Sequence, residues 1–258
     1  MLGVAVAAAC LGTAFVVRSA HGTPERTAMR SPNVDLPKPV QPAFEVPTPR
    51  PLALDRADSL WAPVLRLVEA RQAPDQAAAS VAQLETRTPE GTANIVLELG
   101  RREDADGRLW VHVRLPVLPN NTTGWVPRDA LGGSVEVDTH LVVDVERFTA
   151  TLFDKGKPVF RANVGVGRPA WPTPRGQFYV RNKLSDFDNP FYGPVAFGLS
   201  ARSAVLTDWP AGGFIGIHGT NRPELLPGRI SHGCIRLRNE DIVRLARAMP
   251  VGTPVTIR

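Results

Sequence analysis

Two stretches of this chain alternate apolar and polar side chains with the two-residue period of a half-buried strand. They are "IVLEL" at Ile95–Leu99 and "LWVHVRL" at Leu109–Leu115. Between them, "EDADG" has the composition of a hairpin loop, and "NNTTGWV" at Asn120–Val126 reads as a further turn followed by a short strand. Upstream, "WAPVLRLVEARQAPDQAAASVAQL" fits neither the helical nor the strand period. Downstream, His140–Gly167 divides into three strand-like runs at the turns "ERF" and "DKGK", and "TPRGQFYV" repeats the turn-then-strand pattern. Pro, Gly and Asn break the chain often from Ser185 to Gly216, although apolar "GGFIGI" reads as a buried strand that ends at His218. A sustained helical period appears only after Asn239, a suitable N-cap followed by Glu240 and Asp241, with Ile242, Leu245, Ala246 and Met249 on one face. "VGTPVTIR" closes the chain as a strand. These patterns predict a mainly β architecture in two modules, residues 60–131 and 132–258, joined near "GGSVEVDT".

The first 58 residues follow other rules. Met1–Val17 carries no charge, and the segment 1–22 is expected to act as a signal peptide or membrane anchor. Residues 23–58 hold eight prolines and no periodicity. That composition predicts an extended spacer, which would reach roughly 110 Å at full extension.

Composition narrows the function. The chain has 258 residues, 43% hydrophobic, with a net charge of +5. Lys and Arg are scattered rather than gathered into a basic tract, so nucleic acid is not an expected partner. The two cysteines are Cys10 and Cys234. If the N-terminal run is removed or embedded, the exported part keeps a single thiol, which has no partner for an internal disulfide and is an oxidation hazard outside the cell. Such a thiol is expected to be functional.

Cys234 sits in "IGIHGTNRPELLPGRISHGCIRLRNED", which also holds His218 and His232. A cysteine nucleophile needs a base near neutral pH. His232 lies two positions before Cys234; His218 lies sixteen before it, at the end of the apolar run. Gly233 permits a tight turn at the nucleophile, and tight turns leave N–H groups that stabilise an oxyanion. Two other readings compete: a zinc site of His, His and Cys, without the paired cysteines typical of such sites, and a structural buried cysteine.

"IHGTN", a loop, then "SHGCIRLRNED" resembles the catalytic signature of the L,D-transpeptidases, the YkuD-type domain, and the "TP.G.F" pattern in "TPRGQFYV" fits the same family. Separately, Trp110, Gly124, Trp125 and Val126 fall in a pattern similar to bacterial SH3-like modules. The first resemblance implies a β-sandwich-like catalytic domain preceded by a small SH3-like β-barrel. It implies Cys234 as nucleophile, His218 as proton acceptor and donor oriented by the Gly219 carbonyl, and an oxyanion hole of the Gly233 and Cys234 N–H groups. Ser231, His232 and Arg236 would line the site, with Arg236 suited to a stem carboxylate or to a structural salt bridge. The implied reaction joins peptidoglycan stem peptides, donor and acceptor, by 3→3 cross-links through a cysteine acyl-enzyme, with no cofactor and no metal. The implied location is extracytoplasmic, at the cell wall, tied to the membrane through the N-terminal segment. L,D-carboxypeptidase trimming by the same residues, and a wall-binding module without catalysis, remain open alternatives.

Overall fold

The structure is a computed structural model that describes residues 59–185, 190–206 and 213–258. The expected anchor at 1–22 and the spacer at 23–58 lie outside these residues.

The first part of the described chain forms strands β1 (Ser59–Pro63), β2 (Val68–Arg71), β3 (Ser80–Leu84), β4 (Ile95–Glu103), β5 (Leu109–Arg114), β6 (Thr123–Pro127) and β7 (Val135–Val137). They make one curled sheet in the order β3-β2-β6-β5-β4-β1-β7. The stretch without a clear period becomes β1, β2 and β3. These strands are too short and too often interrupted by proline to show alternation. The expected β4–β5 hairpin is present. Asp104 closes it by accepting the Asp106 and Arg108 amides, and Gly107 turns with φ +77°. Trp110 is fully buried, and its indole N–H donates to Asp104 at 2.8 Å, so its polar edge is satisfied. The core of this sheet gathers Val64, Leu84, Val96, Val111, Val113 and Val126.

The chain passes to a second sheet at Asp138. Its strands are β8 (Thr139–Asp144), β9 (Thr149–Asp154), β10 (Lys157–Asn163), β11 (Gly165–Gly167), β12 (Gly176–Ser185) and β13 (Val195–Arg202). They continue as β14 (Phe214–His218), β15 (Gly228–Ser231), β16 (Ile235–Arg236) and β17 (Pro254–Ile257). The order is β10-β9-β8-β17-β12-β13-β14-β16-β11-β15. At "DKGK", Lys155 and Gly156 both take positive φ, 48° and 75°, the turn that matches strand twist in a two-residue hairpin. Helix α1 (Asn239–Ala248) buries Ile242 and Leu245, followed by Met249, against this sheet.

Two expectations are corrected. The broken-looking stretch from Ser185 to Gly216 contains β13, an inner strand. Gly198, which reads as a breaker, is required there: its amide donates to Asn182 Oδ1 at 3.0 Å, and a Cβ at 198 would collide with that side chain. The N-cap is Arg238, one residue before Asn239, and makes no side-chain cap bond. Asn239 instead accepts the Thr220 amide at 2.9 Å, tying the helix start to the loop after β14.

The two sheets meet along a buried seam. Tyr179, on β12, packs against Ile95 and Leu97, and its hydroxyl donates to the Ile95 carbonyl at 2.9 Å. Asn120 exchanges two hydrogen bonds with the Arg202 backbone, at 2.7 and 2.9 Å. Arg181, 2% exposed, donates to both carboxylate oxygens of Glu90 at 3.0 Å and lies 3.6 Å from the ring centre of Phe214, the first residue of β14. A buried guanidinium is tolerated when paired and is costly when its partner is lost. Glu90→Gln is therefore expected to lower unfolding stability by on the order of 2–3 kcal/mol, read as a drop in the urea midpoint at constant slope. An unchanged midpoint would show that the seam does not depend on this pair.

Candidate active site

The site begins with strand pairing. β14 and β16 run parallel, with Ile217 opposite Ile235 and His218 opposite Arg236. Opposite residues share a face, and faces alternate along a strand. Ile217 and Ile235 are fully buried in the core, so His218 and Arg236 present the other face. One step back, Gly216 meets Cys234: its amide points to Cys234 Sγ at 3.4 Å. The pairing thus brings together a His and a Cys sixteen positions apart in sequence. Gly216 borders both groups, since a Cβ there would lie in ordinary contact, 3.9 Å, with Cys234 Sγ and with His218 Cδ2.

His218 is nearly fully buried, and its Nδ1 is 2.6 Å from the Gly219 carbonyl. A carbonyl only accepts, so Nδ1 carries the proton and Nε2 is left as the acceptor. Burial pushes the imidazole pKa down to about 4; the Gly219 bond opposes this and the Arg236 charge adds to it. Tyr192 meets the ring edge-on at a centroid distance of 5.1 Å, with Phe191 at 5.9 Å. Gly219 must be glycine, since a side chain would strike Asn239 and the Gly193 backbone.

The turn that carries the thiol is stapled from below. Ser231 is fully buried; its hydroxyl donates to the Cys234 carbonyl at 2.6 Å and accepts the Gly233 amide at 3.1 Å. Gly233 takes φ +120°, which side chains rarely adopt. Thr173 donates to the Gly233 carbonyl and accepts the Gly167 amide, both at 2.8 Å, which gives the threonine of "TPRG" a physical task. The sequence suggested a turn with unengaged N–H groups, whereas the Gly233 amide is held by Ser231. His232 packs against Trp171 at 4.4 Å between ring centroids.

An open cleft of about 430 Å³ lies over this face, lined by Cys234, His218, His232 and Arg236 together with Phe191, Tyr192, Leu206 and Phe214. Gly219, Ser231 and Gly233 are not part of its lining; they lie behind it as supports for His218 and the cysteine turn. Burial pushes the Cys234 thiol up, while the Gly216 amide and the Arg236 charge pull it down. Arg236 is 7% exposed, lies 4.4 Å from the centre of the Phe191 ring, and its Nε has no hydrogen-bond partner. Among the described residues, no three His, Cys, Asp or Glu side chains gather as metal ligands. Sequence reasoning missed Phe191, Tyr192, Phe214 and Trp171, because aromatic residues in a Pro- and Gly-rich stretch carry no spacing signal.

The family of YkuD L,D-transpeptidase catalytic domains matches residues 138–257. The chain is 34% identical over 118 residues to the putative L,D-transpeptidase YkuD of Bacillus subtilis, covering 46% of this chain and 65% of that protein. It is 39% identical over 106 residues to the putative L,D-transpeptidase YqjB of the same organism, covering 37% and 57%. The chain therefore spans less than two thirds of either relative. Among solved structures, the catalytic domain of the E. faecium L,D-transpeptidase is 27% identical with a TM-score of 0.35, covering 47% of this chain and 97% of that one.

With the thiol pKa raised and the imidazole pKa lowered, thiol and imidazole are both neutral near pH 7. Iodoacetamide alkylation of Cys234 should then climb about tenfold per pH unit between about pH 6 and 8, following the small thiolate fraction. A rate already flat above about pH 6 would indicate a preformed thiolate–imidazolium pair and contradict these shifts.

Proposed function

We propose, from the match of residues 138–257 to the YkuD family of L,D-transpeptidase catalytic domains, that this chain is a peptidoglycan L,D-transpeptidase that forms 3→3 cross-links through a Cys234 acyl-enzyme. The observation that carries this reading is the placement of Cys234 and the Nε2-accepting His218 on one sheet face, at the floor of an open cleft.

The thiol proton passes to His218 Nε2 as sulfur bonds to the carbonyl carbon of the diamino acid at stem position three. The carbonyl oxygen becomes an oxyanion held by the Cys234 and Gly233 amides, the latter trading its bond to Ser231 for the stronger charge-assisted one. Collapse expels D-alanine, whose amine takes the proton from the imidazolium. The side-chain amine of a second stem then attacks the thioester, gives its proton to His218, and displaces the thiol. Throughout, the Gly219 carbonyl fixes the tautomer. Ser231 holds the turn, His232 lines the cleft against Trp171, and Arg236 meets a stem carboxylate.

The remaining organisation fits a wall enzyme. An N-terminal signal or anchor at 1–22, a proline-rich spacer at 23–58 and an SH3-like module at 60–131 would hold the catalytic domain beyond the membrane, next to a polymeric substrate. Water in place of the acceptor amine would turn the same residues into an L,D-carboxypeptidase.

Incubation of the purified chain with stem tetrapeptides, read by mass spectrometry, separates these outcomes. Cross-linked dimers are expected from the intact chain and none from Cys234→Ala. His218→Ala should lower acylation by at least about 10²-fold. Tripeptide products alone would assign trimming instead, and turnover by Cys234→Ala would remove the cysteine from the mechanism.

A further inference from the structure

A second cleft, of about 800 Å³, adjoins the first and shares Phe191, His232 and Arg236 with it. Its remaining lining includes Arg168, from the loop after β11, and Asn221 and Arg222, from the loop after β14. Three guanidinium groups thus surround one space. None of them takes part in an ion pair among the described residues, although Glu224 lies in the same loop as Arg222. Arg236 is the telling member. It is more than nine-tenths buried, yet its Nε lacks a partner, and Arg168 and Arg222 repel its charge after burial has already disfavoured it. Like charges held together without a counter-ion cost free energy that an anion would return.

We propose that this arginine-lined cleft is an anion-recognising subsite that binds peptides through a free carboxylate next to the reacting amide. The guanidinium fork matches a carboxylate in two-point geometry, which a solvated lysine does not. Position supports the choice of ligand. Arg236 lies two residues beyond Cys234 on the same strand face, a separation of roughly 7 Å. A carboxylate held there lies about one residue from a carbonyl at the thiol. Arg168 and Arg222 line the same space and extend the selection past Arg236. The inference rests on the reading of the first cleft as a peptide acyl-transfer site and adds what selects the peptide.

The test is direct binding to the full chain carrying Cys234→Ser, so that no turnover intervenes. Three probes are titrated at low and high salt: L-alanyl-D-isoglutaminyl-L-lysyl-D-alanine, whose one carboxylate is terminal; its C-terminal amide, which has none; and the amide with meso-diaminopimelate in place of lysine, whose one carboxylate is on the side branch. At least one carboxylate probe should bind about tenfold or more tighter than the carboxylate-free amide, and the one that does identifies the source of the carboxylate. That preference should shrink with salt and in Arg168→Gln and Arg222→Gln, with Arg168→Lys and Arg222→Lys recovering it only in part. Equal binding of all three probes overturns the proposal, as does a preference that survives both glutamine variants. If the glutamine variants fail to fold, the comparison of the three probes on the Cys234→Ser chain still decides. A chain that neither cross-links nor trims stems, yet shows the carboxylate preference, would sink the proposed reaction and leave the subsite standing.

Discussion

The parallel pairing of β14 with β16 is the constraint on which the site depends. It is only two residue pairs long, Ile217 with Ile235 and His218 with Arg236. The isoleucines fix its register by burying one face in the core, and a one-residue slip of β14 would turn Ile217 outward and the imidazole inward. Everything chemical follows from that register: the thiol opposite a glycine, the imidazole two residues along, and a guanidinium beside it. Between the strands, the chain is held at both ends, by the Thr220 amide on Asn239 and by β15 pairing with β11, and the segment between contributes Asn221 and Arg222 to the second cleft.

Support for the ladder comes from two directions. Beneath the cysteine turn, Ser231 and Thr173 satisfy the polar groups that a tight buried turn would otherwise strand. From the other side, β13 backs β14, and the first sheet is fastened to β12 and β13 through Tyr179, Arg181, Asn182 and the Asn120–Arg202 exchange. Arg181 joins these levels in one residue, with Glu90 on one side and the Phe214 ring at the start of β14 on the other. The first sheet therefore braces the strand that delivers His218, even though none of its residues lines the catalytic cleft.

The sequence showed these features unevenly, for physical reasons. Hairpins with glycine or Asp in the turn were legible, because positive φ and side-chain-capped turns demand particular residues: "EDADG" and "DKGK" fold as read. The strand ending at His218 and the tight turn at Gly233 were legible in the same way. β13 was hidden because Gly198 serves a neighbour's side chain rather than its own strand, a relationship that exists only after folding. Asn239 was read as a local cap when its partner is Thr220, nineteen residues away. Burial of Ser231 and the engagement of the Gly233 amide were equally invisible, since the turn could be recognised from its residues but its internal bonds could not. The arginine cleft escaped because Arg168, Arg222 and Arg236 come from three separate segments with no common spacing.

The central claim is that acyl transfer depends on the register of β14, which sets Gly216 against the thiol and His218 two residues along. Gly216→Ala places a methyl group in ordinary contact, 3.9 Å, with both Cys234 Sγ and His218 Cδ2, and somewhat tightly, at 3.3 Å, against the Phe197 carbonyl. The direct measurement is the acylation rate of this variant by a stem tetrapeptide, set beside its urea midpoint. Relief of the tight contact shifts β14 and with it His218, so the account predicts a loss of about tenfold to 10²-fold in acylation, the scale of a misplaced catalytic group, with a stability change of no more than about 1–3 kcal/mol. A variant that acylates at the rate of the unsubstituted chain would contradict it, because the reaction would then not depend on where β14 holds the imidazole.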